Sequence, residues 1–267
     1  MNNTERFSTN MPNRYKKPSL LGATGWLILI FLFAQGIQSA DITLQRLFSG
    51  VLNMGTFMTR AFPPDFSRLQ FVMASMYETF QIALVGTVVG VALSLPIAIL
   101  SAKNITPSQT LSKGLKVFVS LMRTIPDLVW ALLFVISVGL GPLAGILTII
   151  VDTIGFCGRF FSERIEEMNE GPVQALESTG GSRIGVVTGA VIPICFPSFV
   201  ATSLFSFEKA IRSAVVLGLV GAGGIGVELS TSITLRKFNE ALMIILLIFI
   251  VVLVVEQIST KIRNKII

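Results

Sequence analysis

Gly171-Pro-Val-Gln-Ala-Leu-Glu-Ser-Thr-Gly-Gly-Ser-Arg183, with Ile192-Pro193 soon after, is a short segment of mixed polarity set between two long apolar runs. Pro172 suits the first turn of a helix, where its missing N–H costs nothing, and Gly180-Gly181 supply a stop. A helix of about two turns fits between them. Val173, Leu176 and the Gly180 edge share one side at three- and four-residue spacing, with Gln174 and Glu177 outside it. So short a stripe does not hold a helix alone. It needs something to press against, either the ends of its own chain or a soluble partner, and the pattern leaves both open.

The flanking runs define the fold class. The chain is 52% hydrophobic and only 13% charged, against roughly 25% charged in soluble domains. Pro18–Ala40, Thr79–Ala102, Leu128–Val151 and Ile184–Phe207 each lack Asp, Glu, Lys and Arg. About 20 apolar residues cross a hydrocarbon core. Without closely spaced turns or polar/apolar alternation, these are helices and not barrel strands. The expectation is an all-α integral membrane protein with six spans at 20–39, 75–101, 117–139, 143–162, 187–207 and 238–259. Gly139-Leu-Gly-Pro142 divides the third from the fourth. Residues 103–116 and 163–183 read as loops. The first run has a long basic prelude and no clear cleavage site, so it reads as a retained anchor.

Lys and Arg near the span ends set the orientation. With both termini in the cytoplasm, that side holds Arg6, Arg14, Lys16, Lys17, Lys103, Lys113, Lys116, Arg159, Arg164, Arg183, Lys261, Arg263 and Lys265. The other side holds Arg46, Arg60, Arg68, Lys209, Arg212, Arg236 and Lys237. Ser213–Val227 is too short for a seventh crossing, about 22 Å as a helix, and reads as a glycine-rich, broken or re-entrant segment. Leu44, Leu47, Val51, Leu52 and Phe57 recur among polar neighbours and predict an interfacial amphipathic helix. The organisation expected is a tail, first span and amphipathic segment over 1–73, then a core over 74–262 with its cytoplasmic loop at 163–186.

Ionisable groups inside spans are costly and are candidates for function. Arg123 and Asp127, four apart, are expected to share a helix face, with Pro126 between them as a kink. They read either as an internal ion pair or as part of a path on which a guanidinium meets an oxyanion. Asp152 faces a polar cavity or bonds a neighbouring helix. Glu78 opens the second span. Glu208 and Arg212, another four-residue pair, end the fifth beside the glycine cluster Gly218, Gly221, Gly223, Gly224 and Gly226. That cluster reads as a gate or as close helix packing.

Histidine is absent and the carboxylates are scattered, so no catalytic set or metal site is expected. Cys157 and Cys195 lie in apolar segments and imply no disulfide or metal framework. The formal charge of +6 is dispersed among loops, which favours membrane orientation over nucleic acid as its meaning.

Ala175, Gly180 and Ile192-Pro193 together are similar to the Glu-Ala-Ala…Gly…Leu-Pro loop of permease subunits of ABC importers, with Gln174, Leu176 and Ile192 departing from it. Arg123–Val135, Gly139–Pro142, Ile165–Val173 and Arg212–Gly226 resemble the phosphonate-importer permeases, and the likeness extends over about 70–260. It implies the type I importer permease fold in the bacterial inner membrane and import of phosphonate, phosphite or a phosphate ester. The segment Pro172, Gln174, Ala175, Leu176, Glu177, Gly180, Ser182 and Arg183 would then couple to an ATPase. Path or gate roles would fall to Arg123, Asp127, Asp152, Glu208, Arg212, Gly221, Gly223 and Gly224. The partners implied are a second copy of this chain, two ATPase subunits carrying ATP and Mg, and an extracytoplasmic binding protein, within membrane lipid. No phosphate loop occurs in this chain. A permease for methionine or another small solute is the alternative, and a secondary transporter a weaker one.

Overall fold

The computed structural model describes residues 20–41 and 43–266. The basic residues Arg6, Arg14, Lys16 and Lys17 used for orientation lie outside them. The chain divides into two units, Met1–Thr59 and Arg60–Ile267. Every regular element among the described residues is helical.

The first unit holds α1 (Leu20–Ser39) and most of α2 (Leu44–Ala61). α1 matches the expected first span, and α2 is the expected amphipathic helix. An Asp41–Arg46 ion pair of 2.9 Å spans the turn between them.

The second unit contains α3 (Leu69–Ser101), α4 (Gln109–Thr124), α5 (Asp127–Val138), α6 (Pro142–Glu167) and the short α7 (Gly171–Ser178). A turn of helix at Arg183–Val186 (α8) then widens into a π-turn at Val187–Val191 and continues as α9 (Ile192–Gly218). α10 (Ile225–Thr234) and α11 (Phe238–Ile266) complete it. Five helical segments are long and apolar enough to cross a membrane, or six when α4 and α5 count as one broken span.

The core is a seam between α3 and α6. Gly86, Gly90, Ser94, Ala98 and Ala102 are buried at four-residue spacing, facing Gly145, Ile149, Thr153, Cys157, Phe161 and Ile165, also four apart. A Cβ on Gly86 would lie 2.6 Å from Ile149 Cγ2, and one on Gly90 2.5 Å from Thr153 Cβ. The two backbones therefore meet as closely as these side chains permit, the arrangement that packs helices where lipid removes the hydrophobic drive. Ser94 Oγ donates to the Gly90 carbonyl at 2.7 Å, closing its polar group within the seam.

Three expectations need correction. Residues 109–116 are not loop but the start of α4, which turns Ser112, Leu115, Lys116 and Val119 inward at helical spacing. The span expected over 117–139 with a kink at Pro126 is broken there into two helices, α4 and α5 meeting at 88°, so Arg123 and Asp127 are not on one helix. Pro126 has no N–H for the Met122 carbonyl, and Trp130 Nε1 donates to that oxygen instead at 3.3 Å, clipping the bend. The fifth span is longer than 187–207, running from Arg183 to Gly218, so charged residues assigned to its outer end lie within it.

Replacing Gly90 by Val overpacks the seam and is expected to cost about 1–3 kcal/mol. Gly114→Ala, in open space on α4, costs nothing. Thermal melts in detergent, read by thiol-dye capture at the buried Cys157 and Cys195, check both: the midpoint falls for the first variant and holds for the second.

Candidate functional site

α7 is built as the sequence implies and is anchored on one side. Asn169 Oδ1 accepts from Gly171 N at 2.9 Å at its start. At its end Gly180, at φ +81°, donates to the Glu177 carbonyl at 3.0 Å, and Gly181 donates to that of Leu176 at 3.0 Å. This is a Schellman stop, whose left-handed position favours glycine. Val173 is buried with Phe161, Ile165, Met168, Val186, Ala190 and Cys195, and Leu176 packs against the same group. The Leu176 side chain also lies 3.4 Å from where a Gly189 Cβ would sit, so α7 rests on the π-turn.

Pro172, Gln174, Ala175 and Glu177 are exposed. α7 thus presses on its own chain with its apolar side and leaves a polar side free. Ser182 and Arg183 belong to the next helix: Ser182 Oγ accepts from Gly185 N at 3.2 Å as the N-cap of α8, and Arg183 is its first residue. The π-turn has a local cause, since Pro193 and Pro197 cannot donate back along the helix and a widened turn relieves the crowding.

Asp127, Asp152, Glu208 and Arg212 form a charged layer across α5, α6 and α9. Asp152 bonds a neighbouring helix, one of its two expected roles: Lys209 Nζ donates to Asp152 Oδ1 at 2.6 Å. Asp152 is ten residues into α6, about 15 Å from its start, and Lys209 nine residues from the end of α9, about 14 Å. Half of a 30 Å core is about 15 Å, so the pair sits near mid-depth. Lys209, assigned by sequence to an outer loop, is instead an intramembrane partner.

Glu208 does not pair with Arg212. It is buried and lies 3.2 Å from Arg263 Nη2 on α11, an ion pair without hydrogen-bond geometry. Arg263, read as a tail residue, was missed because neither neighbour in sequence marks it.

Arg123 and Asp127 do not share a face. The bend at Pro126 sends them to different cavities. Arg123 lies over Gly155 and lines a cavity of about 320 Å³ between α4 and α6, with Lys116, Arg159, Ser162, Glu163 and Glu166. There Lys116 pairs with Glu166 and Arg159 with Glu163, both at 2.6 Å. Asp127 opens α5 and accepts from Ser213 Oγ at 3.3 Å, in a second cavity of about 310 Å³ with Lys209 and Arg212.

The glycine-rich segment is a tight joint. Gly221, Gly223 and Gly224 have φ of +88°, +85° and +75°. Gly221 O accepts from Gly141 N at 2.9 Å, tying the joint to the α5–α6 turn. Glu78 Oε1 accepts from Gly224 N at 3.1 Å and Thr79 Oγ1 from Ile225 N at 2.7 Å, which caps α10 from α3. Cβ atoms on Gly218 and Gly226 would clash with each other's backbone. The i,i+1 pair Glu78-Thr79 was legible only as an interfacial helix start. No group of three metal-ligating side chains occurs among the described residues.

The model of the family described as binding-protein-dependent transport system inner membrane component matches residues 94–265. The phosphite transport system permease protein PtxC of Stutzerimonas stutzeri is 33% identical over 238 residues, 89% of this chain and 85% of that protein. The phosphate-import permease protein PhnE of Mycolicibacterium smegmatis is 35% identical over 222 residues, 83% of this chain but 42% of that longer protein. A chain of the MetNI methionine ABC transporter in an inward-facing conformation has the same fold, with a TM-score of 0.67 at 19% identity. The alignment covers 76% of this chain and 99% of that one.

Removing one member of the mid-depth pair strands the other, a loss of about 3 kcal/mol. Asp152→Leu is therefore expected to lower the melting midpoint by several degrees, and Asp152→Leu with Lys209→Met to regain most of it, as thiol-dye melts of the purified variants will read.

Proposed function

The chain belongs to the family of binding-protein-dependent transport system inner membrane components, and we propose that it forms the translocation path of an ATP-driven importer of phosphorus oxyanions. It is a multi-pass transport permease of the inner membrane and carries the all-helical fold of that group. The substrate class, the coupling role of α7 and the composition of the assembly are our reading.

The observation that carries the reading is α7. A helix of eight residues, with its apolar side locked to the bundle and Gln174, Ala175 and Glu177 free, is a handle on the end of α9. In the proposed cycle two copies of the chain stand together, each with an ATPase subunit against its α7, on the cytoplasmic side with both termini. ATP and Mg are held by those subunits, and hydrolysis takes place there. A binding protein delivers the solute on the opposite side, where the Gly221–Gly224 joint lies between α9 and α10 and serves as part of the gate. This chain supplies geometry and no bond chemistry.

Phosphite, phosphonate and phosphate esters fit the relatives whose names carry phosphite and phosphate. The methionine transporter supports the fold alone at its identity, so methionine is the second reading. Uptake of labelled phosphite and of methionine by proteoliposomes with ATPase and binding protein separates them. Methionine uptake with no phosphite uptake sinks the substrate class.

Ala175→Trp puts bulk on the free side of α7 without touching its anchored side. Uptake is expected to fall at least tenfold, about 1.4 kcal/mol of coupling, with an unchanged melting midpoint and loss of co-purifying ATPase. Full uptake in this variant removes α7 from the interface.

A further inference from the structure

Among the described residues, the cavity between α5 and α9 is lined by two cations, Lys209 and Arg212, and one of them is unpaired. Lys209 is held by Asp152 and Arg263 lies against Glu208. Asp127 accepts from Ser213 and lines the same cavity as Arg212, yet makes no ion pair with it. Arg212 has neither hydrogen bond nor ion pair among the described residues. It is exposed on α9, six residues before the helix ends at Gly218, about 9 Å below that end.

A bare guanidinium facing hydrocarbon costs about 2.5–3.5 kcal/mol even by insertion scales. The Arg212 face is therefore one that water or protein covers. The stripe along it is Lys209, Arg212, Ser213 and Val216, and all four line the 310 Å³ cavity together with Asp127 and Leu128 of the opposite helix. The cavity is the right size for a small solute, and Asp127, Lys209, Arg212 and Ser213 make up its polar lining.

We infer that Arg212 is the group that selects charge in the translocation path, taking the phosphorus oxyanion through its free guanidinium N–H groups. This rests on the import reading above and adds to it the residue that distinguishes an oxyanion from a neutral or zwitterionic solute. A planar fork of donors meets two oxygens of a tetrahedral oxyanion at once. The neighbouring pair matters because it is closed: Lys209 is engaged by Asp152, so this cavity offers one unpaired cation per copy and does not trap the anion. Asp127 stays apart, its charge eased by Ser213 and by its place at the N-terminus of α5. An import path needs a contact strong enough to admit the ion and single enough to release it.

The test is phosphite uptake by proteoliposomes holding the permease, its ATPase and its binding protein, alongside ATP hydrolysis stimulated by phosphite-loaded binding protein. For Arg212→Gln, uptake is expected to fall at least tenfold while stimulated hydrolysis stays within twofold. Arg212→Cys is expected to show the same loss. Treating it with a methanethiosulfonate carrying ethylammonium restores at least a third of wild-type uptake, and the ethylsulfonate reagent restores none. Cys157 and Cys195 are buried and leave the introduced thiol as the reactive one. Wild-type uptake in Arg212→Gln overturns the assignment, as does equal restoration by both reagents or none by either. Joint loss of uptake and stimulated hydrolysis overturns it too, by moving Arg212 to coupling. If the wild-type assembly itself takes up no phosphite or phosphonate, the import reading fails first and the assignment falls with it.

Discussion

The rest of the bundle depends on the closeness of α3 and α6. In lipid, side chains gain nothing by leaving water, and helices associate through dispersion contacts that fall off within an ångström or so. Gly86 and Gly90 let the α3 backbone reach Ile149 and Thr153 directly. That contact fixes α6, and α6 in turn carries α4 on one half and α5 on the other. It also sets the height of Asp152, and so the level at which α9 must present Lys209. A single methyl group in the seam would move every polar partner that hangs from it.

Two carboxylates within this frame are neutralised in the same way. Asp152 and Glu208 each take one cation from a different helix, Lys209 from α9 and Arg263 from α11. Between them they fasten α6, α9 and α11 at one depth, where an unpaired carboxylate would be costly. The glycine joint follows the same logic with backbone groups: Glu78 and Thr79 supply acceptors for Gly224 and Ile225, N–H groups that the start of α10 leaves open. Non-helical backbone at this position is affordable because α3 and the Gly139–Pro142 turn cover it.

Much of this was written in the sequence in a form one chain can show. Charge-free runs gave the spans, Gly139-Leu-Gly-Pro142 the hairpin, and Pro172 with Gly180-Gly181 the bounds of α7, because each is a local property. Pairing was not legible. Arg123 and Asp127 at four-residue spacing meet only on a continuous helix, and Pro126 turned that helix by 88°. Glu208 and Arg212 have the same spacing on an unbroken helix and still part, because Arg263, fifty-five residues on, reaches Glu208. Hydropathy assigned Lys209 to a loop since a lysine ends an apolar run; only Asp152 across the bundle explains it. The four-residue stripe of small residues in α3 was a visible signal for the seam that apolar length alone obscures.

The order of parts along α8 and α9 joins α7 to the cavity that holds Arg212. Leu176 bears on Gly189 in the π-turn, and the same helix carries Lys209 and Arg212 further along. From Arg183 to Arg212 the helical path is about 44 Å. A straight α-helix over that distance moves as a rod, whereas a π-turn next to Pro193 and Pro197 has a looser ladder and bends first. In the proposed cycle a push on α7 would enter α9 at its most compliant point, and the stiff part beyond would swing about the glycine joint at its far end. In the proposed cycle that motion changes the separation of α5 and α9, the two walls of the cavity holding Arg212. Small displacements suffice, because the cation needs only to be covered or uncovered for its hold on an oxyanion to change.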